Sequence, residues 1–226
     1  MRITLLVLTW NEIEGMRTIM PQIRKEWCDE IIVVDAGSTD GTVEYSRRQG
    51  YQAYVQPEPG LGAAYIEGMK HVTGDIVITF SPDANSDPAR IPALIEKMKE
   101  GYDMVIVSRY LDWAHSEDDD WVTRFGNWMF TKLFNLMFRT SITDMLVIFR
   151  AFRSNLVSEL RVDTKSIPWQ TQLFVRTVRA GKRIAEIPGN EAKRIGSARK
   201  MRPLRNGWVE LVMMWKEFFR TQGPVE

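Results

Sequence analysis

The sequence contains a single cysteine, Cys28, and only two histidines among its 226 residues. One cysteine excludes an internal disulfide, and two histidines far apart along the chain provide no spacing for a zinc site. We therefore expect a reducing, cytoplasmic setting.

Long apolar runs are also missing. No segment approaches the roughly 20 apolar residues that a membrane-spanning helix needs. The apolar start of the chain, residues 1–8, is followed at once by Thr9-Trp10-Asn11-Glu12, where a signal peptide would continue its apolar region. These features favour a soluble protein, or one bound peripherally to the inner face of the cell membrane.

An excess of charge of one sign is absent as well. The chain has 30 basic and 29 acidic residues, for a net charge of +1. Such a balance creates no overall field that would attract nucleic acid, so any basic site must be local. With 44% hydrophobic residues, the chain can bury the core of one large domain.

Strand-like and helix-like segments alternate through the first half of the chain. This pattern predicts an α/β fold with a mostly parallel central sheet flanked by helices. The predicted strands are 3–8, 31–35, 52–55, 75–80 and 104–108, and the predicted helices are 14–25, 42–49, 63–71 and 91–100.

Polar side chains follow four of the predicted strands. They are Trp10-Asn11-Glu12, then Asp35 with Ser38 and Asp40, then Asp83 with Asn85 and Asp87, and finally Ser108-Arg109. Ligands of open α/β sheets lie beyond the carboxyl ends of the strands, so these groups are expected to converge. Asp40-Gly41-Thr42 alone is typical of a turn that starts a helix, Asp83 with Asn85 of an ordinary turn, and Arg109 of a surface arginine. Together they suit a divalent cation that neutralises a diphosphate.

The order of these motifs resembles family-2 glycosyltransferases of the GT-A fold, in particular the polyprenyl-phosphate sugar synthases typified by dolichyl-phosphate mannose synthase. The likeness extends over about residues 4 to 200. It is carried by Thr9-Trp10-Asn11-Glu12, Val33 to Thr42, Gly60 to Tyr65, Pro82-Asp83-Ala84-Asn85, Val107 to Tyr110, Asp144 with Phe149-Arg150, Ala185 to Pro188, and Lys193 to Ser197.

The resemblance implies inverting transfer of a hexose from a GDP- or UDP-linked sugar to a polyprenyl phosphate or a related membrane-associated acceptor, with Mg²⁺ or Mn²⁺ as cofactor. It places the nucleotide-sugar at Thr9, Trp10, Glu12, Asp35, Gly37, Ser38, Gly62, Asp83, Ala84 and Asn85. Asp83 and Asn85 would hold the metal, and Asp83, Arg109 and Asp144 would be catalytic. Arg109, Arg124, Arg194, Ser197 and Lys200 would contact phosphates or the acceptor.

Three positions depart from the family pattern. Asn85 replaces the second aspartate of Asp-x-Asp, which predicts weaker metal binding. Val147-Ile148 replaces Ser-Gly, and Gln172 stands where the family has a carboxylate. A phosphate acceptor needs no general base, whereas a hydroxyl would need one, with Asp144 as the alternative. Two other hypotheses therefore stay open: an enzyme acting on a soluble sugar or glycan, and a catalytically weak nucleotide-sugar-binding module.

Two further segments have more than one interpretation. The acidic run 116–120 is typical of a solvated loop, and it precedes an aromatic helical stripe over 121–139. We assign 1–200 to the catalytic domain and 201–226 to an amphipathic helical extension. That extension either docks on its own domain or lies on a membrane surface, with its aromatic side chains at the headgroups and Lys200, Arg202, Arg205, Lys216 and Arg220 near anionic lipid. A homodimer is compatible with the sequence.

Overall fold

A single seven-stranded sheet forms the centre of the computed structural model, which describes residues 1–196 and 203–220. The strand order is β3-β2-β1-β4-β6-β5-β7. The strands are β1 (Ile3–Thr9), β2 (Glu30–Asp35), β3 (Gln52–Val55), β4 (Ile76–Phe80), β5 (Met104–Ser108), β6 (Arg150–Arg153) and β7 (Ile184–Pro188). The predicted α/β class is confirmed.

Helices cover the sheet. They are α1 (Ile13–Thr18), α2 (Thr42–Arg48), α3 (Leu61–Met69), α4 (Ile91–Lys99), α5 (Trp121–Phe138), α6 (Leu156–Glu159), α7 (Trp169–Arg179) and α8 (Pro203–Phe218). The prediction of one helix over 14–25 is wrong, because α1 ends at Thr18 and short 3-10 turns follow at Met20–Gln22 and Lys25–Trp27. Pro21 has no N–H to continue the α-helical ladder.

One strand reverses the direction of the sheet. β6 pairs antiparallel with β4 and with β5, so that Arg150 lies opposite both Thr79 and Ile106. All other strand pairs are parallel. The carboxyl ends of β1, β2, β4 and β5 therefore meet at one edge, and the amino end of β6 joins them there.

The core includes the C-terminal helix. All residues of β4 and β5 are buried, as expected for strands covered on both faces. Met214 of α8 is fully buried in the same hydrophobic cluster. Glu217 of α8 is also fully buried and binds Arg176 of α7, at 2.6 Å from Nη2. Docking of α8 on its own domain is thus confirmed, while a domain boundary at residue 200 stays a prediction.

Candidate active site

Asp35 organises the first two strand ends. It is fully buried and lies opposite Thr9 in the sheet. One carboxylate oxygen accepts hydrogen bonds from the backbone N–H groups of Gly37 and Ser38, at 2.9 and 2.6 Å, and the other accepts from the hydroxyls of Ser38 and Thr9, at 2.6 and 2.8 Å. The Ser38 hydroxyl also accepts from the N–H of Asn11. Asp35 therefore holds the loops together, and its direct contact with a nucleotide stays a prediction.

Trp10 and Glu12 stand at the same edge. Trp10 is 48% exposed, whereas Glu12 is 9% exposed and its N–H donates to the Thr42 hydroxyl at 3.0 Å. An exposed aromatic ring beside buried polar groups suits stacking with a nucleobase. A nucleoside pocket here stays a prediction, and the geometry supports it.

The Asp83-Ala84-Asn85 corner follows β4. Ala84 has φ 70°, and the Asn85 N–H donates to the Asp83 carboxylate at 3.2 Å, so these three residues form a tight turn. Helix α1 supports the turn closely, since a Cβ on Gly15 would lie 2.1 Å from the carbonyl oxygen of Pro82. The corner is thereby held against α1, which begins directly after Asn11 and Glu12.

The segment after β7 covers this corner. The N–H of Ile195 donates to the Asp83 carbonyl at 2.9 Å, and the side-chain amide of Asn85 donates to the Ala192 carbonyl at 2.8 Å. The guanidinium of Arg194 donates to Asn85 Oδ1 at 2.8 Å and to Asp118 at 2.7 Å. The predicted proximity of Arg194 to the corner is therefore present, while Ser197 and Lys200 lie outside the described residues.

Arg109 is held by two carboxylates. Its Nε and Nη2 donate to the two oxygens of Asp144, at 2.7 and 2.9 Å, and its Nη1 donates to Glu191 at 3.2 Å. Burial alone would lower the pKa of Arg109, but the charge and hydrogen bonds of Asp144, together with Glu191, raise it. Asp144 is fully buried with both oxygens engaged. This geometry argues against Asp144 as a general base and makes it the residue that positions Arg109.

The acidic run before α5 is only partly solvated. Glu117 and Asp120 are exposed as expected, but the expectation is wrong for Asp119, whose side chain is only 1% exposed and binds Tyr110 and Asn127. Asp120 caps α5 by accepting from the N–H of Thr123 at 2.7 Å. Asp118 pairs with Arg194, as described above. The sequence analysis missed Asp118 and Glu191 as site residues, because their partners lie far away along the chain.

One cavity joins the polar corner to an apolar wall. It has a volume of about 630 Å³ and includes Asp83, Asn85, Arg109, Glu191 and Arg194 in its lining. The apolar part of its wall includes Val122, Phe125, Met129, Val147, Ile148 and Leu211. Val147 and Ile148, which replace the Ser-Gly of the family pattern, are thus part of this wall.

Three predicted positions lie elsewhere or have other partners. The N–H of Gly62 donates to the Ser166 carbonyl at 3.0 Å, and a Cβ at Gly62 would lie 2.2 Å from the Thr164 carbonyl oxygen. Close packing against the backbone of residues 164–166 therefore explains why position 62 is a glycine. Arg124 lines a second cavity beside α5, which shares Phe125 with the first cavity, and it does not line the first. Gln172 is buried and its side-chain oxygen accepts from the N–H groups at 163 and 164, so it takes no part in lining the first cavity.

The family model for glycosyl transferase family 2 matches residues 5–161, more than half of the chain. The chain belongs to this family. The matched region contains the Asp35 loop, the Asp83 corner and the Arg109–Asp144 pair.

Two curated relatives of this glycosyltransferase match 99% and 83% of its length. Glycosyltransferase AglJ of Haloferax volcanii is 24% identical over 99% of this chain and 74% of the relative. An undecaprenyl-phosphate mannosyltransferase of Micrococcus luteus is 26% identical over 83% of this chain and 82% of the relative.

Solved structures establish the GT-A fold for this glycosyltransferase. Glucosyl-3-phosphoglycerate synthase from Mycobacterium tuberculosis, in complex with Mn²⁺, UDP and phosphoglyceric acid, superposes with a TM-score of 0.78. The two chains are 20% identical, and the match covers 98% of this chain and 80% of the other. At this identity the likeness concerns the fold alone.

The side chains of the glycosyltransferase fit a divalent cation that is shared with a diphosphate. Within residues 1–196 and 203–220, no group of three or more His, Cys, Asp or Glu side chains is placed to hold a metal ion. Asp83 and Asn85 have hard oxygen atoms at the cavity wall, although the Asn85 oxygen accepts from Arg194 in this structure, and their role as metal ligands stays a prediction. Mg²⁺ commonly takes one or two carboxylates together with substrate phosphates and water, so this sparse donor set is chemically suitable.

Proposed function

We propose that this glycosyltransferase moves a hexose from a GDP- or UDP-linked sugar to a polyprenyl phosphate, with inversion at the anomeric carbon. The observation that carries the proposal is the single cavity lined both by the Asp83 corner and by an apolar wall. A polyprenyl phosphate has the same two-part chemistry, since it joins an ionised head to a long apolar chain.

The wall beside the corner suits a lipid better than a small charged acceptor. Val147, Ile148 and Leu211 present apolar surface, and contact with a hydrocarbon chain removes that surface from water. A soluble phosphorylated acceptor would need positive charge in its place, but Arg109 is already neutralised by Asp144 and Glu191. The undecaprenyl-phosphate mannosyltransferase among the relatives supports the same acceptor class.

The proposed reaction forms one bond and breaks one. An oxygen of the acceptor phosphate attacks the anomeric carbon, while the bond from that carbon to the diphosphate breaks and the nucleoside diphosphate leaves. Asp83 and Asn85 would hold a divalent cation that offsets charge on the leaving diphosphate. Arg109 and Arg194 place guanidinium groups at the cavity wall, each of them paired with carboxylates of the protein. The acceptor phosphate is ionised near neutral pH, so no side chain has to remove a proton.

The outer faces of α5 and α8 support a membrane-associated acceptor. Trp121, Phe125 and Trp128 on α5 are 79%, 52% and 57% exposed, and Trp208 and Trp215 on α8 are 67% and 45% exposed. Helix α5 contains no acidic residue, and both acids of α8, at 210 and 217, point inward. Exposed aromatic and basic side chains without acids suit an anionic lipid surface. Among the described residues, no helix has the length and hydropathy to cross a bilayer.

The test is transfer from radiolabelled GDP- and UDP-hexoses in the presence of Mn²⁺. Polyprenyl phosphate in detergent is compared with free sugars and with phosphoglycerate, and product is counted in the organic and aqueous phases. Label in the organic phase that depends on polyprenyl phosphate is the expected result. Transfer to a water-soluble acceptor alone overturns the proposal and favours the alternative enzyme.

A substitution in the apolar wall of the cavity provides a second test of the acceptor site. Ile148→Asp places a charge in the apolar wall and is expected to reduce transfer to the lipid while donor binding, followed by thermal shift with each nucleotide-sugar, stays intact. Val55→Asp, at a 49% exposed position on the edge strand β3, is the matched control. Equal lipid transfer by wild type and Ile148→Asp would remove the wall from the acceptor site.

A further inference from the structure

The guanidinium of Arg194 binds the side chain of Asn85, which stands where the family pattern has a metal-binding aspartate. Its Nη2 lies 2.8 Å from Asn85 Oδ1 and 2.7 Å from Asp118, and its Nε lies 3.1 Å from the same Asp118 oxygen. The side chain of Arg194 is 25% exposed and that of Asp118 is 12% exposed. The amide oxygen available to a cation is therefore already bound to a cationic group.

Asn85 is suited to this contact in a way that aspartate is not. Its amide nitrogen donates to the Ala192 carbonyl at 2.8 Å while its oxygen accepts from Arg194. A carboxylate at position 85 has no proton to donate and would face the carbonyl oxygen of Ala192. Asn85, which replaces the second aspartate of Asp-x-Asp, thus donates one hydrogen bond and accepts another. We call these two bonds, which link the corner to the segment 192–195, the latch.

The backbone reinforces the latch. The N–H of Ile195 donates to the carbonyl of Asp83 at 2.9 Å, which ties the residue after Arg194 to the residue that precedes Ala84. Asp118 forms an ion pair with Arg194 at 2.7 Å, and an arginine side chain is not deprotonated in proteins. The guanidinium therefore stays charged and lies close enough to Asp83 to interact with its carboxylate.

We propose that Arg194 is the resident cation of the donor corner, and that a divalent cation and Arg194 compete for Asn85. The inference deepens the proposed function at its donor site and is independent of the acceptor. In the free protein, Arg194 weakens the binding of a divalent cation, because its oxygen ligand is engaged and a positive charge stands beside it. Cation binding at this corner requires Arg194 to leave Asn85.

The competition is tested by Mn²⁺ binding without nucleotide. The electron paramagnetic resonance signal of free Mn²⁺ is followed during titration of the full chain, for wild type, Arg194→Gln and Lys193→Gln. Lys193 is the exposed neighbour of Arg194 and gives a control with the same loss of charge. We expect Arg194→Gln to bind Mn²⁺ on the order of tenfold more tightly than wild type, and Lys193→Gln to bind as wild type does.

Two further variants locate the effect. Asp83→Ala in the Arg194→Gln background is expected to abolish the gain, which places the bound Mn²⁺ at the corner. Arg194→Lys keeps the charge but has no planar fork to bridge both acceptors, so its affinity should fall between those of wild type and Arg194→Gln. Melting curves for each variant establish that the proteins compared are folded.

Equal or weaker Mn²⁺ binding by folded Arg194→Gln overturns the proposal, and so does a gain that survives Asp83→Ala. The measurement contains no acceptor. A failure to glycosylate polyprenyl phosphate therefore leaves this result unaffected, and the two proposals fail separately.

Discussion

Asp144 holds the guanidinium of Arg109 through both of its carboxylate oxygens, at 2.7 Å from Nε and 2.9 Å from Nη2. The carboxylate of Glu186 accepts a hydrogen bond from the backbone N–H of Asp144 at 3.2 Å and so helps to position Asp144. Arg109 lines the cavity while Asp144 is fully buried, so Asp144 can influence the cavity only by positioning the arginine. The ion pair fixes the orientation of the Arg109 guanidinium at the cavity wall.

Replacing Asp144 with asparagine is expected to destabilise the fold. The substitution leaves Arg109 buried with one carboxylate partner fewer, and breaking a buried ion pair costs about 3 kcal/mol. Urea denaturation measures the loss. Asp112→Asn, in an exposed turn with positive φ that asparagine tolerates, is the control and should unfold like wild type. A stable Asp144→Asn protein that has lost only transfer would instead indicate direct participation in the chemistry.

Replacing Asp83 with alanine is expected to abolish transfer and preserve the fold. Asp83 is partly exposed at the cavity and forms no ion pair within the described part of the chain, so little stability depends on it. Loss of charge stabilisation at a leaving group typically lowers kcat by a factor on the order of 10² to 10³. Initial rates with a saturating donor measure the change, alongside Glu96→Ala on the exposed face of α4. Full activity in Asp83→Ala would sink the donor-site assignment.

Gly15→Ala should displace the Asp83-Ala84-Asn85 corner, because Gly15 packs against the preceding residue, Pro82. The added Cβ would lie 2.1 Å from the Pro82 carbonyl oxygen, which is backbone and must move. Overpacking of this kind costs about 1 to 3 kcal/mol. We expect a lower melting temperature together with weaker binding of the nucleotide-sugar. Gly126→Ala on α5, where a Cβ meets nothing within 4 Å, is the control for the melting temperature. Unchanged donor binding in Gly15→Ala would show that the turn shifts without consequence.

Stability should fall as pH rises from about 4.5 to about 7 because of Glu210. Burial raises the pKa of this carboxyl from 4.5 to about 7, although a hydrogen bond from Thr171 and the charge of Arg150 oppose the shift. Between pH 4.5 and about 7, the folded protein binds a proton that the unfolded chain releases, so the free energy of unfolding decreases across that window. The decrease attributable to Glu210 is of the order of 3 kcal/mol.

Glu210→Gln removes this titration. The amide oxygen still accepts from the Thr171 hydroxyl, which lies 2.5 Å from the carboxylate in the native protein. Urea midpoints from pH 5 to pH 8 are expected to vary less in the variant than in wild type, and to be higher at pH 8. Parallel pH profiles for the two proteins would contradict the assignment.

Binding to anionic vesicles should depend on the basic residues of α5. Lys132→Glu reverses a charge on the same exposed face as Trp121, Trp128 and Leu136. Each basic residue near such a surface contributes about 1 kcal/mol, so sedimentation with phosphatidylserine vesicles should fall several-fold. Lys99→Glu, on α4, makes the same charge change on another helix and should bind as wild type does. Equal binding by all three proteins would exclude this face.

The sequence predicts elements well where one signal dominates. β5 was predicted with its observed bounds, and α5 to within a residue, since a cap and an apolar stripe define it. Helix α7 was missed. Its polar residues Gln170, Thr171, Gln172 and Arg176 are buried, so the helix does not have the usual solvent-facing polar side. β6 was missed because Arg-Ala-Phe-Arg is short and charged, and its pairing with β4 and β5 is a tertiary property.

The site was predicted in part for a related reason. Polar residues directly after strands can be read locally, which is why the Asp35 loop and the Asp83 corner were found. The contacts of Arg109 with Asp144 and of Arg194 with Asn85 join residues 35 and 109 positions apart. Such pairings depend on how the loops cross the sheet edge, and no local pattern encodes them.

The central position of β6 has a consequence for biosynthesis. Until Arg150–Arg153 has been made, β4 has only β1 beside it, and one of its edges of unpaired backbone is open. Its five residues, Ile76–Phe80, are buried in the finished sheet and rich in β-branched and aromatic side chains. An exposed edge of this composition favours pairing between chains. We expect fragments that stop before β6 to aggregate, and fragments that extend past it to remain in solution.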